Sequence, residues 1–372
     1  MLASLRYLAG TAGPSGFGSR ATADESSLPP PVKATAATWG HITAIVTGAT
    51  SGIGAETARA LARRGARLVV PARSLKAAHE ARARLLDGGP SDPGRIVVLP
   101  GLDLSSLASV RRFASRFLAL GLPLNLLINN AGQFVERLGL TEDGAETTFA
   151  TNYLGHFLLT RLLLPKMADT ARDTGVQGRV VNVSSTVHAW FSSSSGTGDD
   201  DEDDGPIIGY LNRLTSKQTP YDATRAYALS KLANVLHTRA LADRLREMDV
   251  NVTANCVHPG IVRTRLIRDR AGIITNTVFF LASKLLKTVP QAAATTCYAA
   301  VHPAVAGVSG KYFADCNEAS PSRLASSGEE ASRLWSFSEG ITAKEKENES
   351  VLVTSFRFQV QNSNADRGMA VA

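Results

Sequence analysis

Short runs of consecutive apolar residues alternate along this chain with stretches in which apolar positions recur every three or four residues. The runs fall at 42–46, 67–70, 96–99, 124–128, 180–183, 250–256 and 308–313, and helix-length segments separate most of them. Uninterrupted apolar strands alternating with helices predict strands buried on both faces, in a parallel sheet. The expected fold is therefore α/β and doubly wound, with a single mostly parallel sheet of about seven strands and helices on both faces. In such sheets ligands bind beyond the carboxyl ends of the strands. The polar motifs of this chain follow its apolar runs, which places them at those ends.

The first run meets Thr47-Gly48-Ala49-Thr50-Ser51-Gly52-Ile53-Gly54 and then a helical pattern. Strand, glycine turn and helix in this order form a dinucleotide fingerprint. Gly48 is expected to make the tight turn, Gly52 to let the backbone approach a diphosphate, and Gly54 to let the helix pack closely on the sheet. Free N–H groups at the helix start would face the phosphates, with Ser51 and Ile53 in the same turn. No Asp or Glu lies between Glu56 and Glu80, so nothing there can hold the ribose hydroxyls as a carboxylate would, whereas Arg73 follows the second run. A guanidinium suits a 2′-phosphate, and NADP(H) is favoured over NAD(H). Asp103 after the third run is placed to accept from an adenine amino group. Asn130, Ala131 and Gly132 after the fourth let backbone approach the cofactor.

Tyr227-Ala-Leu-Ser-Lys231 supplies the candidate chemistry. Four residues apart on a helix, the phenol and the ammonium share a face. A positive charge beside a phenol favours the phenolate and is expected to lower a pKa that starts near ~10. Tyr227 then becomes a proton donor with its tuner alongside.

The glycine turn, Asn129-Asn130-Ala131-Gly132 and Tyr227-x-x-x-Lys231, in this order, resemble the short-chain dehydrogenase/reductase family, a Rossmann fold, over about residues 40–337. The stretch from Asn152 to Phe157, Val183-Ser184-Ser185 with His188, and His258-Pro259-Gly260 are similar to its retinol dehydrogenase and WW-domain oxidoreductase branch. Plant oxidoreductases of the chloroplast translocon-associated and "forever young" types share these motifs. The resemblance implies that Tyr227 exchanges a proton with a carbonyl or alcohol while hydride moves to or from the nicotinamide. It further implies that Lys231 lowers the phenol pKa and holds the nicotinamide ribose, that Ser185 hydrogen-bonds the reacting oxygen, and that Asn152 orders a water in the proton relay. Pro259, Gly260 and Thr264 would contact the cofactor carboxamide and phosphate. His156 and His188 are read as packing or rim residues. One departure is the 42 positions from Ser185 to Tyr227, a longer insert than the family usually carries.

Composition adjusts this picture at its edges. A chain of 372 residues that is 44% hydrophobic and 20% charged can bury a core. Its net charge of +7 is spread along helices without interleaved aromatics, which argues against nucleic acid. Three cysteines without metal or redox spacing fit an intracellular, reducing compartment, either cytoplasm or chloroplast. Residues 1–40, poor in acids, fit a flexible arm or a transit segment equally. The insert at 192–209 carries six consecutive acids from Asp199 and reads as a solvated loop, and 338–372 as a tail with one strand-like stretch. No transmembrane helix is expected. The pattern at 271–289 is amphipathic, packed on the core or in peripheral contact with a membrane. Its apolar side favours a small hydrophobic carbonyl or alcohol as substrate. A homo-oligomer is among the partners considered, and the alternative to the enzyme is a nucleotide-sensing regulatory or partner-binding protein on the same scaffold.

Overall fold

The computed structural model describes residues 7, 9–27, 40–87, 93–191, 205–261 and 286–343. Eight strands form one sheet: β1 Thr43–Val46, β2 Arg67–Ala72, β3 Ile96–Pro100, β4 Leu126–Asn129, β5 Gly178–Val183, β6 Val252–His258, β7 Tyr312–Ala314 and β8 Asn317–Ala319. Their order is β3-β2-β1-β4-β5-β6-β7-β8. The first seven run parallel, and β8 pairs antiparallel with β7. The expected architecture is present with one strand added at the edge. β8 is too short and polar to register as an apolar run, and a tight turn through Asp315 and Cys316, both at positive φ, returns it beside β7. β2 contains Pro71 in mid-sheet, which is tolerated because its pairing with β1 stops at Val69.

Helices cover both faces: α1 Gly52–Arg63, α2 Leu75–Leu86, α3 Leu107–Ala119, α4 Gly155–Thr174, α5 Gly205–Thr215, α6 Ala223–Glu247, α7 Val289–Val301 and α8 Gly328–Ala343. Leu124, Phe113, Phe157 and Leu229 belong to the core on one face, and Val46, Leu61, Ile128 and Val257 to the core on the other. α5 begins inside the stretch read as the acidic insert. α8 runs past residue 337, with Ser338 and Thr342 buried and Trp335 packed on Phe157 and stacked on His237. The rest of the insert, the strand-like stretch of the tail and nearly all of 271–289 lie outside the described residues. No helix among the described residues is long and apolar enough to cross a membrane.

Residues 9–27 lie against the body of the protein. Phe17 packs edge-on to Tyr298 and His302, and Asn317 Nδ2 donates to its carbonyl oxygen at 3.0 Å. A short helix, Ala23–Ser26, closed by a capping box from Thr22 and Glu25, buries Ala23 against Ala60, Ala293 and Cys297. Ser26 Oγ donates to Ala294 O at 2.9 Å, and Asp24 pairs with Arg59 and Arg63 on α1. The small, acid-poor composition of this stretch hides these contacts because most of them are single polar bonds rather than an apolar face. Phe17 is half-buried, worth about 1 kcal/mol, and the Ala23, Ser26 and Asp24 contacts add to it. Deleting residues 1–27 is therefore expected to lower the thermal midpoint by roughly 5 °C or more. An unchanged midpoint in scanning calorimetry would show that the segment lies outside the cooperative unit.

Candidate active site

The glycine turn joins β1 to α1 as expected. Gly48 has φ +69°, a left-handed conformation that side chains with a Cβ rarely adopt. A Cβ at Gly54 would run into Asn130 Nδ2 and the Gly48 carbonyl oxygen, so only glycine permits this approach of α1 to the β4 turn. Asn130 Nδ2 donates to Thr47 O at 2.9 Å, and the Asn130 and Ala131 N–H groups both donate to Thr47 Oγ1 at 2.9 Å. Thr47 thereby ties the glycine turn to the Asn-Asn-Ala-Gly turn.

The N-terminus of α1 differs from those of its neighbours. Ser74, Ser106, Asp222 and Thr288 each accept from the first turn of the helix they precede, whereas Ser51 makes no side-chain cap. Uncapped N–H groups at a helix start suit a phosphate. At the end of β2, Arg73 is exposed and forms no ion pair with any described residue. Asp103 turns inward on its own loop, its Oδ1 accepting from Ser105 N at 2.9 Å and Ser105 Oγ at 2.6 Å. The chemistry of these groups fits a dinucleotide with a phosphorylated ribose.

Beyond β4 and β5 the candidate catalytic side chains converge. Asn152 lies in a single widened turn, Ala150–Leu154, where Gly155 N–H reaches back five residues to Ala150 O. Such π-turns recur at functional sites. Asn152 Oδ1 accepts from Gln133 N at 2.7 Å, and its Nδ2 donates to Gln133 O and Ser230 Oγ, each at 3.0 Å. Ser230 Oγ in turn donates to Tyr227 O at 2.8 Å, so one chain of bonds joins the Asn152 amide to the catalytic helix. A Cβ at Gly132 would stand 3.4 Å from Asn152 Oδ1 and 3.5 Å from Lys231 Nζ, which marks the floor shared by the cofactor turn and the catalytic groups.

Lys231 reaches the end of β5. Its ammonium is buried, donates to Val183 O at 3.0 Å and lies 5.5 Å from the centroid of the Tyr227 ring. Burial pushes the lysine down to about 8 and the Tyr227 phenol up to about 12. Burial alone raises the phenol, which corrects the expectation of a phenol lowered by Lys231. Phe134 packs on the Tyr227 ring at 5.7 Å and lines the approach to it.

Ser185 stands at the end of β5, where its side chain accepts from Val187 N and caps a short helix. His188 Nδ1 meets Ser185 O at 2.6 Å while its Nε2 accepts from Ser322 N at 3.0 Å. The Ser185 turn is thus fastened to the chain beyond β8, and His188 does more than fill the rim. Pro259 and Gly260 follow β6. Lys287 packs beneath Gly260, donates its N–H to Ile261 O at 2.8 Å and pairs with Asp315 at 2.5 Å. Thr264 lies outside the described residues.

Ser184, Ser230 and Asn234 lie in motifs shared with the family but carry no assigned role from the sequence, and all three bond to residues of the site. Ser184 Oγ donates to Lys231 O at 2.7 Å, and Asn234 Nδ2 reaches Val183 O at 3.2 Å. Helical spacing carries a signal for two of them: Tyr227, Ser230, Lys231 and Asn234 fall at i, i+3, i+4 and i+7, a polar stripe within the otherwise apolar stretch 226–236.

A doubly wound sheet with a dinucleotide cradle beside a Tyr-Lys pair defines a nucleotide-dependent oxidoreductase. The family model described as short chain dehydrogenase matches residues 42–193. "Short-chain dehydrogenase TIC 32 B, chloroplastic" of Brassica napus is 45% identical over 88% of this chain and 95% of its own length. "Retinol dehydrogenase 12" of Bos taurus is 39% identical over 79% of this chain and 84% of its own. Among solved structures, the RhlG/NADP active-site complex from Pseudomonas aeruginosa superposes with a TM-score of 0.55 at 25% identity, covering 73% of this chain and 93% of that one. The chain belongs to the short-chain dehydrogenase family.

Proposed function

We propose that this protein is an NADP(H)-dependent oxidoreductase that transfers hydride between the nicotinamide and a small hydrophobic carbonyl or alcohol. The observation that carries the reading is the meeting of Tyr227, Lys231 and Asn152 around Gly132, on the floor of the glycine-turn cradle. The nicotinamide, when bound, supplies or accepts the hydride. The remaining work falls to this chain. Gly48 to Gly54 and the α1 N-terminus hold the diphosphate, and Arg73 holds the ribose phosphate. Asn130, Ala131, Pro259 and Gly260 bring backbone against the cofactor. Asp103 has one carboxylate oxygen held by Ser105, and its second is the acceptor for the adenine amino group.

In the reductive direction Tyr227 gives its phenolic proton to the carbonyl oxygen. Ser185 donates a hydrogen bond to that oxygen as charge builds on it. Lys231 holds the ribose, and Asn152 orders water toward Lys231 for reprotonation. Phe134 sets an aromatic ring against Tyr227, which supports a hydrophobic substrate. Placement in the chloroplast draws support from the printed name of the Brassica napus relative.

Titration with NADPH and NADH, followed by fluorescence, tests the cofactor assignment. Arg73→Ala is expected to weaken NADPH by about tenfold or more while NADH changes by less than about twofold, because only NADPH carries the phosphate. Equal losses for both nucleotides would remove Arg73 from the phosphate and, with it, the argument for NADP(H).

A further inference from the structure

His156 sits two residues beyond the widened turn and is 2% exposed, with no contact to solvent-borne substrate. Both of its ring nitrogens are engaged. Nδ1 lies 3.1 Å from Asn152 O, and Nε2 lies 2.8 Å from Thr47 Oγ1. A carbonyl oxygen only accepts, so the ring proton is on Nδ1. A neutral imidazole then offers a bare Nε2, and the Thr47 hydroxyl must donate to it.

That assignment completes the count at Thr47. Its hydroxyl oxygen accepts from the Asn130 and Ala131 N–H groups, which uses both lone pairs, and its one proton is left for His156. The competing acceptor, Ile128 O, is more distant at 3.3 Å. Burial, opposed by the Asn152 bond and assisted by Lys231, pushes His156 down to about 4, so the ring stays neutral as this pattern requires.

We propose that His156 is a positioning residue that locks the Asn152 turn to the Thr47 hub, so that the nucleotide cradle and the proton-transfer groups are set as one unit. The proposal rests on the oxidoreductase reading for its consequence and on hydrogen-bond valence for its geometry. Without His156 the Thr47 proton turns toward Ile128 O, and the Asn152 turn loses its direct tie to Thr47. Only the two Gln133 bonds then hold the Asn152 amide to the β4 turn, which loosens Ala131 and Gly132 against Asn152 and Lys231.

The full-length protein tests this in two ways. Long-range proton–nitrogen NMR of the uniformly labelled wild type, with His156 assigned by its loss in His156→Leu or His156→Asn, is expected to show a protonated Nδ1 and a bare Nε2. A ring protonated at Nε2 would overturn the proposal. NADPH titration of His156→Leu, Thr47→Val and the double variant forms the second arm. His156→Leu is expected to weaken binding by about tenfold, Thr47→Val by at least as much because it also strands the Asn130 and Ala131 N–H groups, and the double change by no more than about twofold beyond Thr47→Val. Thr47→Ser, which keeps the hydroxyl, is expected to bind as the wild type does. Additive losses, or a lowered thermal midpoint with unchanged NADPH affinity, would make His156 a packing residue and nothing more. Failure of the wild type to bind either nucleotide would sink the oxidoreductase reading alone. The tautomer, and the coupling of the two substitutions in the thermal midpoint, would still decide the tether.

Discussion

Tyr227→Phe is expected to bind NADPH as tightly as the wild type, to melt at the same temperature, and to turn over about 10²- to 10⁴-fold more slowly. The binding and stability halves follow from what the phenol touches. Among the described residues its oxygen makes no hydrogen bond, so removing it strands no buried partner. The ring keeps its packing against Phe134 and its place beside Lys231. The rate half follows from the proposed reaction, in which the phenol carries the transferable proton. With a carbonyl taken from a hydrophobic panel, single-turnover kinetics separate binding from reduction. Turnover retained within about threefold, far less than a general acid contributes, would give the proton to another group.

Lys231→Met is expected to abolish most turnover while leaving the protein as stable as the wild type or more so. The lysine is 4% exposed and carries no carboxylate partner among the described residues, and burial holds it at about 8 against its usual 10.5. Its native pKa is depressed, so the unfolded chain binds the extra proton between those two values and stability rises with pH across that window. Below pH 8 the native protein bears the whole cost of a buried ammonium. Methionine has a similar length, removes that cost, and leaves Val183 O still bonded to Asn234 Nδ2. The gain in thermal midpoint should therefore be largest near pH 7 and shrink as pH approaches 10. A variant less stable than the wild type at pH 7 would show that the Val183 bond outweighs the burial cost. A stable, inactive variant would make this lysine a group kept for function against stability.

How the site became legible depends on the length scale of each signal. The glycine turn, the β4 turn and the Tyr-Lys pair are local patterns, each confined to a few consecutive residues or one helical turn, and they were readable because local sterics and helical period fix what such patterns do. Asn152 and Ser185 needed the family resemblance, since a lone amide or serine at a strand end carries no signal. His156 and His188 read as packing or rim residues for the same reason: each acts by joining a local backbone carbonyl to a segment far away in sequence. The docking of residues 9–27 was hidden because its partners are on α1, α7 and β8.

By itself, therefore, the sequence determined the parallel α/β sheet, the order of its motifs and the end of the sheet at which chemistry occurs, because hydrophobic period and glycine conformation are properties of neighbouring residues. Only the tertiary structure decided the balance of charge and burial at the site. The direction of the Tyr227 and Lys231 shifts depends on how much water the assembled walls exclude and on which carbonyl the ammonium reaches. Dehydration and hydrogen-bond valence belong to groups that meet only when the chain has closed around them.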